Sequence, residues 1–325
     1  MVGGLMMRKF KRGLDPESWD ALDRLVNKGD NWWCHLLSLW VPSGKDAGAS
    51  GLRLALRDNY LNLYRRGQSV GRVSFGPGPD GKVGATMNIH AKYIWGKSAP
   101  ARYVQLQDRA VTGKDLPSAP YAGRETLESW VKNTQCWAGP EKCGVDLVVG
   151  NNPTVIDLEM GMPAWARKAS ALRVDMAALD LAGEPKLVLW EAKPLNSAAL
   201  RARKGPGKVV QQMADYKAYL NEPDHRRWLN EAYRTTCGAL VRMAGMAGRS
   251  TALHKSIGRV AEAGHLDVAV EPRLAVFRGA DWSTGTLELV KYAHGWETYL
   301  ETLRSEGVLV AVEEDPQNLR LDAAA

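Results

Sequence analysis

Two acidic side chains and a lysine occur at a spacing that suits chemistry on a phosphodiester. Asp175 lies in one apolar run, and Glu191 and Lys193 close a second run, 186–193. Residues two apart on a β-strand point to the same face, so Glu191 and Lys193 would project together. A hairpin between the two runs would place Asp175 beside them. Such a pair of carboxylates can hold Mg²⁺, which needs only a few protein oxygens because it keeps several waters.

The elements that must position these residues are two strands and the turn between them. Run 186–193 is rich in β-formers and follows a turn that contains Gly183 and Pro185. Each residue also has a structural explanation. Asp175 could be a solvated carboxylate at a hairpin end, and Glu191 with Lys193 could be a solvent-facing pair on an edge strand. The functional interpretation therefore rests on the whole set.

A predicted helix after the second strand adds two polar residues. Gln212 and Tyr216 are four apart, so they share one face of this helix, predicted over 208–220. Tyr216 also belongs to an apolar stripe with Met213 and Leu220, which would make it a core tyrosine. Gln212 is therefore the more informative of the two.

Together these residues resemble the PD-(D/E)XK nuclease superfamily, in the Gln-x-x-x-Tyr form of its RecB-like and lambda-exonuclease-like branches. The residues that match its motifs are Asp175, Glu191, Ala192, Lys193, Gln212 and Tyr216. The resemblance covers about residues 120–245. It implies an α/β fold with a restriction-endonuclease-like αβββαβ core and a mixed sheet. It also implies a Mg²⁺- or Mn²⁺-dependent nuclease that cuts DNA, in a superfamily that includes restriction, repair, recombination and phage-defence enzymes.

The resemblance also implies a role for each residue. Asp175 and Glu191 would bind the metal. Lys193 would lie beside the attacking water or the scissile phosphate, and Gln212 and Tyr216 would orient a phosphate or a water. An ammonium beside two carboxylates is favoured in its charged form, so we expect Lys193 to act as a positioned charge more than as a base.

The superfamily commonly supplies a third acid to the metal. A predicted strand just before Asp175 alternates apolar and acidic residues, with Asp157 and Glu159 on one face. We expect Glu159 to be the third metal ligand, because its side chain is longer and it lies nearer the strand's end. The superfamily often takes this acid from a helix, so Glu125 and Glu128, on a predicted helix, are competitors.

A basic connection leaves the second strand and enters the helix of Gln212. Its four cations are Arg201, Arg203, Lys204 and Lys208. At the mouth of the site they would contact a nucleic-acid backbone and release its condensed counterions. The alternative is a solvated loop.

The net charge of +7 lies mostly in the first third of the chain, where residues 1–120 hold 18 lysines and arginines against 10 aspartates and glutamates. We predict a β-rich basic module over 1–120. It would have a helix at 16–26 and strands at 32–37, 52–57, 68–75 and 85–94. The arginines expected to be accessible on it are Arg53, Arg57, Arg65, Arg66 and Arg72. Nucleic-acid binding, a partner protein and a homodimer stay open as its role.

We predict the nuclease domain over 121–325, with a C-terminal α/β extension. Its elements would be a helix at 124–133, three strands carrying the site acids, the helix at 208–220, a helix at 224–233 and a returning strand at 237–241. The extension would add a helix at 253–263, a strand at 273–277 and a helix at 296–305.

Composition places the chain among cytoplasmic proteins. No apolar run approaches the ~20 residues of a membrane span, and the N-terminus has no secretion signal pattern. The four cysteines form no Cys-x-x-Cys pair, so reduced thiols are expected rather than a zinc or iron–sulfur site. Two further functions stay open: a catalytically silent nucleic-acid-binding or scaffold protein with the same fold, and a nuclease that cuts RNA.

Overall fold

The structure is a computed structural model, and it describes residues 9–42, 51–107, 109–165, 171–201, 207–283, 286–291 and 294–322. The helices are α1 (Pro16–Lys28), α2 (Trp32–Leu39), α3 (Lys92–Trp95), α4 (Arg124–Lys132), α5 (Pro140–Asn151), α6 (Lys208–Asn221), α7 (Pro223–Met246), α8 (Lys255–Ala263) and α9 (Trp296–Ser305).

The strands fall into two groups along the chain. The N-terminal group is β1 (Arg53–Leu56), β2 (Tyr60–Arg65), β3 (Gln68–Pro77), β4 (Val83–His90), β5 (Tyr103–Gln107), β6 (Ala110–Thr112) and β7 (Ala119–Pro120). The later strands are β8 (Val155–Gly161), β9 (Arg173–Asp180), β10 (Lys186–Pro194), β11 (Asp267–Val268), β12 (Arg273–Phe277), β13 (Ala280–Asp281), β14 (Glu288–Leu289) and β15 (Leu309–Glu313).

The N-terminal strands form one antiparallel sheet in chain order, from β1 to β7. Short turns make this order possible. Arg66 and Gly67 join β2 to β3 with φ values of 48° and 62°. Two successive positive φ angles are the geometry of the type I′ turn, whose twist matches the strands of a two-residue hairpin.

The second sheet is mixed and carries the predicted acids. Its order is β15-β12-β10-β9-β8, and β11 pairs with the start of β10. Strands β8, β9 and β10 are antiparallel neighbours, whereas β12 runs parallel to β10 and β15 parallel to β12. A parallel return needs a long crossover, and here α6, α7 and α8 provide it. The α/β class and the mixed sheet agree with the sequence-based prediction.

Alternating residues of β10 bury both faces of this sheet. Leu187 and Leu189 join the core formed with α6, α7 and α8, and Val188 and Trp190 join a second cluster that includes Val148 of α5. The central strand is therefore covered on both sides, so polar groups on it need partners.

One predicted strand, and the end of another, are helical in the structure. The apolar residues at 32–37 form α2, because the Asn31 side chain caps a helix there by accepting hydrogen bonds from the backbone N–H groups of Trp33 and Cys34. The end of the strand predicted at 85–94 is also helical, since β4 stops at His90 and α3 follows. Short apolar runs do not distinguish helix from strand by periodicity.

The strand predicted at 237–241 is wrong, since these residues belong to α7. This helix begins with Pro223 at its first turn and continues for 24 residues. Its buried residues recur three and four apart, as in Leu229, Tyr233, Cys237 and Leu240, which is the period of a helix face. The strand that returns parallel to β10 is β12.

Most of the arginines expected to be accessible on the N-terminal sheet are buried. Arg72 is exposed, but the other four are at most 8% exposed: Arg53, Arg57, Arg65 and Arg66. Acids and an aromatic ring in the later part of the chain account for three of them. Arg57 pairs with Asp157, Arg65 with Asp146, and Arg66 lies over the Trp282 ring. These guanidinium groups therefore join the N-terminal sheet to elements of the later part of the chain.

Candidate active site

The hairpin of β9 and β10 brings three of the predicted site residues together. Its antiparallel register pairs Trp190 with Met176, which leaves Glu191 across from Asp175. The backbone N–H of Ala192 donates a hydrogen bond to Asp175 Oδ2 at 2.9 Å. This bond fixes the Asp175 carboxylate against the edge of β10, beside Glu191 and Lys193.

The Lys193 ammonium lies among carboxylates. Its Nζ is 2.6 Å from Glu191 Oε1 and 3.9 Å from Asp175 Oδ2, and it also donates to the Ala192 carbonyl at 3.2 Å. Glu191 is 2% exposed, so this pairing takes place largely out of water. A buried carboxylate is tolerated only with such partners.

The pKa values of Asp175 and Lys193 are both raised, for different reasons. Burial, followed by the neighbouring Glu191 carboxylate, raises the pKa of Asp175 well above its ordinary value, against the opposing effect of Lys193. Burial alone would lower the pKa of Lys193, but Glu191 and Asp175 together outweigh it and raise that pKa. Lys193 is therefore held as an ammonium, whereas ionised Asp175 is energetically costly.

Tyr216 and Gln212 contact the other side of Glu191 from α6. The Tyr216 hydroxyl lies 2.8 Å from Glu191 Oε2 and also contacts the Arg173 carbonyl, and Gln212 Nε2 donates to it at 2.6 Å. The pKa of Tyr216 is raised by burial and by the Glu191 charge, so the hydroxyl keeps its proton and can donate. The predicted helix motif thus forms a chain of hydrogen bonds that ends on Glu191.

Glu159 of β8 lies across from Asp175 of β9. Its neighbours Leu158 and Met160 pair with Met176 and Val174. Its φ is 50°, an unusual backbone conformation for a residue in a strand. The side chain is 20% exposed and accepts a hydrogen bond from Arg173 Nη1 at 3.4 Å. Its charge also contributes to the raised pKa of Asp175. Glu159 therefore adjoins the site, and its role as a metal ligand stays a prediction.

Asp157 has a different environment from Glu159, although a regular strand would have put both on one face. A register irregularity separates Asp157 from Val155 in its pairing with β9. Asp157 pairs with Arg57 at 2.5 Å and with Arg12 at 3.1 Å. Burial would raise the pKa of Asp157, but Arg57 and Arg12 outweigh it and lower that pKa. Asp157 is thus a structural acid.

One acid near the site was missed in the sequence. Glu141, in the first turn of α5, lies with its Oε1 3.6 Å from Lys193 Nζ. Of the predicted helix acids, Glu125 is exposed and Glu128 pairs with Lys132 at 3.2 Å. Pro140 and Glu141 could have predicted the start of α5, because proline at the first helical position followed by an acid is typical of a helix start.

Four carboxylates and two cations make up this cluster: Asp175, Glu191, Glu159 and Glu141 with Lys193 and Arg173. The excess of acid and the energetic cost of ionised Asp175 fit a site for a hard divalent cation. Across the described ranges, however, no group of three or more histidine, cysteine, aspartate or glutamate side chains is arranged to hold a metal. Asp175 and Glu191 lie together, and their role as ligands of Mg²⁺ or Mn²⁺ stays a prediction.

The predicted substrate-binding cations are only partly described. Arg201 donates to the Asn196 carbonyl at 2.6 Å, within its own loop, and Lys208 is exposed at the start of α6. Arg203 and Lys204 lie outside the described residues.

Comparisons with models of protein families, with curated proteins and with solved structures found no match to this chain. The resemblance to the nuclease superfamily therefore rests on the residues and their geometry. None of the helices in the described part of the chain combines the length and apolar content that a membrane crossing requires.

Proposed function

We propose that this protein is a Mg²⁺-dependent nuclease that hydrolyses DNA phosphodiester bonds. The observation that carries the proposal is the Lys193 ammonium beside Glu191 and Asp175, with Tyr216 hydrogen-bonded to the second oxygen of Glu191. A purely structural ion pair would need neither the second, costly carboxylate nor the Gln212–Tyr216 chain.

The element order supports a restriction-endonuclease-like core. Helix α5 precedes β8, β9 and β10, which are antiparallel neighbours, and α6 then leads towards β12, which runs parallel to β10. The second and third strands of this order, β9 and β10, carry Asp175, Glu191 and Lys193. We assign the αβββαβ core to these elements.

The residues divide the chemistry among them. Mg²⁺ would supply a Lewis acid and an oriented water, with Asp175 and Glu191 as its protein ligands. Lys193, held as an ammonium, stabilises negative charge that develops on a phosphate in the transition state. Tyr216 and the Ala192 N–H keep the two carboxylates in place, because each donates a hydrogen bond to one of them.

The test is cleavage of supercoiled plasmid, linear duplex, single-stranded DNA and RNA by the full chain, in Mg²⁺, Mn²⁺ or EDTA. We expect metal-dependent cleavage of DNA that falls about 100-fold or more in Asp175→Asn and in Glu191→Gln, since losing several kcal/mol of metal assistance has that effect. Glu184→Gln is the matched control, because Glu184 lies at the far end of the same hairpin with its side chain 90% exposed.

Three outcomes would contradict the proposal. Wild-type rates in Asp175→Asn would remove the metal-site assignment. Cleavage of RNA alone would identify a ribonuclease. Binding of DNA with no cleavage in either metal would identify the catalytically silent binding protein. The N-terminal sheet would then bind nucleic acid or a partner protein.

A further inference from the structure

A polar groove that includes Glu159 adjoins the candidate active site. It has a volume of about 650 Å³ and lies between the segment around Lys11, the start of β2 and residues 161–164 at the end of β8. Arg173 links it to the site, because its side chain contacts Glu159 while its carbonyl contacts the Tyr216 hydroxyl. A substrate that reaches Asp175 from this side would pass through the groove.

The lining of the groove includes one cation that no acid in the described part of the chain neutralises. Arg12 and Arg57 share Asp157, Lys9 pairs with Glu231, and Arg173 pairs with Glu159. Lys11 is exposed, and its ammonium makes no ion pair with any described residue. Lys11 is thus available to a phosphate, which would release counterions on binding.

Arg12 is a second, independent indication of an anionic ligand. Its side chain is only 6% exposed, and its Nε and Nη1 donate to Asp157 and to the Lys11 carbonyl. Its Nη2, however, has no hydrogen-bond partner in the part of the chain that the structure describes. A buried donor without a partner costs free energy, and the Arg12 residue that carries it lines the groove.

Tyr60 gives the groove an aromatic surface. It is half-buried at the start of β2, and its side chain makes no hydrogen bond or ring contact with other described residues. Met162, Pro163 and Ala164 also line the groove and are apolar. An aromatic ring in such surroundings can stack on the flat face of a base, which is accessible only when the base is unpaired. The volume is also that of a small-ligand pocket, too small for a duplex.

We propose that this groove binds an unpaired DNA strand, with Tyr60 stacking on a base and Lys11 and Arg12 contacting phosphates. This inference rests on the proposed nuclease function, because it identifies the strand that enters the site beside Glu159. It makes DNA with a single-stranded end the preferred substrate class.

The test is fluorescence anisotropy of the full chain with a labelled oligothymidylate and with a blunt duplex of equal length, both in EDTA so that no cleavage occurs. We expect tighter binding to the single strand. Tyr60→Ala should weaken single-strand binding at least about fivefold, whereas Tyr60→Phe should bind like the wild type, because stacking needs only the ring.

Lys11→Gln tests the phosphate contact. It should reduce the slope of log affinity against log salt concentration by about 0.7, the value for one phosphate contact on a single strand. Lys82→Gln, an exposed lysine in the β3–β4 turn, is the control.

The outcomes separate this inference from the nuclease proposal. Equal binding by Tyr60→Ala and wild type, or tighter binding to the duplex, would overturn the groove assignment even if Asp175→Asn abolishes cleavage. Weakened single-strand binding by Tyr60→Ala supports the groove assignment, and it does so even if no variant at Asp175 changes any cleavage rate.

Discussion

The Asp175 carboxylate is held in an environment that disfavours its charge. Burial and Glu191 raise its pKa well above the ordinary value. A carboxyl whose folded pKa is raised reduces stability at a pH above that pKa, and the loss disappears as the pH falls towards the ordinary aspartate range. Natural active sites commonly carry such a cost, because the same groups are needed for function.

We therefore expect Asp175→Asn to raise the free energy of unfolding at neutral pH in EDTA, because the amide replaces a carboxylate whose ionised form the fold disfavours. About 0.5–2 kcal/mol is the usual size of a stabilising substitution. The gain should shrink at acid pH. Mg²⁺ should stabilise the wild type, because it binds only the folded state, and should leave the variant unchanged. Urea unfolding with and without Mg²⁺ measures both. Destabilisation of the variant in EDTA would mean that Asp175 is a structural partner of Lys193.

At the residue scale, strand periodicity accounts for what the sequence could predict. Glu191 and Lys193 are two apart on β10, and a hairpin is enough to bring Asp175 to them. Glu141 and Asp157 could not be placed in this way. Glu141 meets Lys193 through packing of a helix on the sheet, and Asp157 meets arginines about 100 residues or more away in the chain. Contacts between residues so far apart in sequence leave no periodic pattern from which they could be predicted.

At the element scale, the position of α5 decides whether Glu141 reaches the site. Gly144 allows this close approach, since a Cβ built on it would lie 2.2 Å from the Phe277 ring of β12. Gly238, on the exposed side of α7, would meet no atom within 4 Å. The two glycines are therefore a matched pair for separating helix propensity from packing.

We expect Gly144→Ala to destabilise the protein by about 1–3 kcal/mol, the usual effect of overpacking, and to move Glu141 away from Lys193. Gly238→Ala should stabilise it by about 0.5–1 kcal/mol, because alanine loses less conformational entropy in a helix. Thermal and urea unfolding of both variants measure the difference. Equal effects of the two substitutions would show that α5 can shift away from β12 at no cost.

The elements that the sequence predicted correctly are those with strong local signals. Strands β8, β9 and β10 and helices α1, α4, α6 and α9 lie within a few residues of their predicted bounds. Two apolar stretches that were predicted as strands are helical, because neighbouring residues determine their structure. Residues 32–37 became helical through the Asn31 cap, and residues 237–241 became helical because α7 continues through them.

At the scale of the whole molecule, Asp157 connects parts of the chain that are distant in sequence. It joins Arg12 of the N-terminal segment, Arg57 after β1 and Tyr233 of α7, where the hydroxyl donates to Asp157 Oδ2 at 2.9 Å. The hydrophobic core likewise runs from the N-terminal sheet into the second sheet. The predicted boundary at residue 120 therefore crosses shared contacts, and the two sheets should unfold together.

Asp157→Asn tests this coupling. Removing the charge leaves two buried guanidinium groups without their carboxylate, and breaking a buried ion pair in this way costs about 3–5 kcal/mol. The pKa of Asp157 is lowered in the folded protein, so its stabilisation is present above the ordinary aspartate pKa and is lost as the pH falls below it. The difference in unfolding free energy between wild type and variant should therefore narrow in acid.

The control is Asp23→Asn, which breaks an exposed pair with Arg242 at 2.6 Å and should cost less than about 1 kcal/mol. Circular dichroism and tryptophan fluorescence, followed in the same urea series, should shift together in Asp157→Asn. Two separated transitions, or a loss no larger than that of Asp23→Asn, would show that the sheets are stabilised independently.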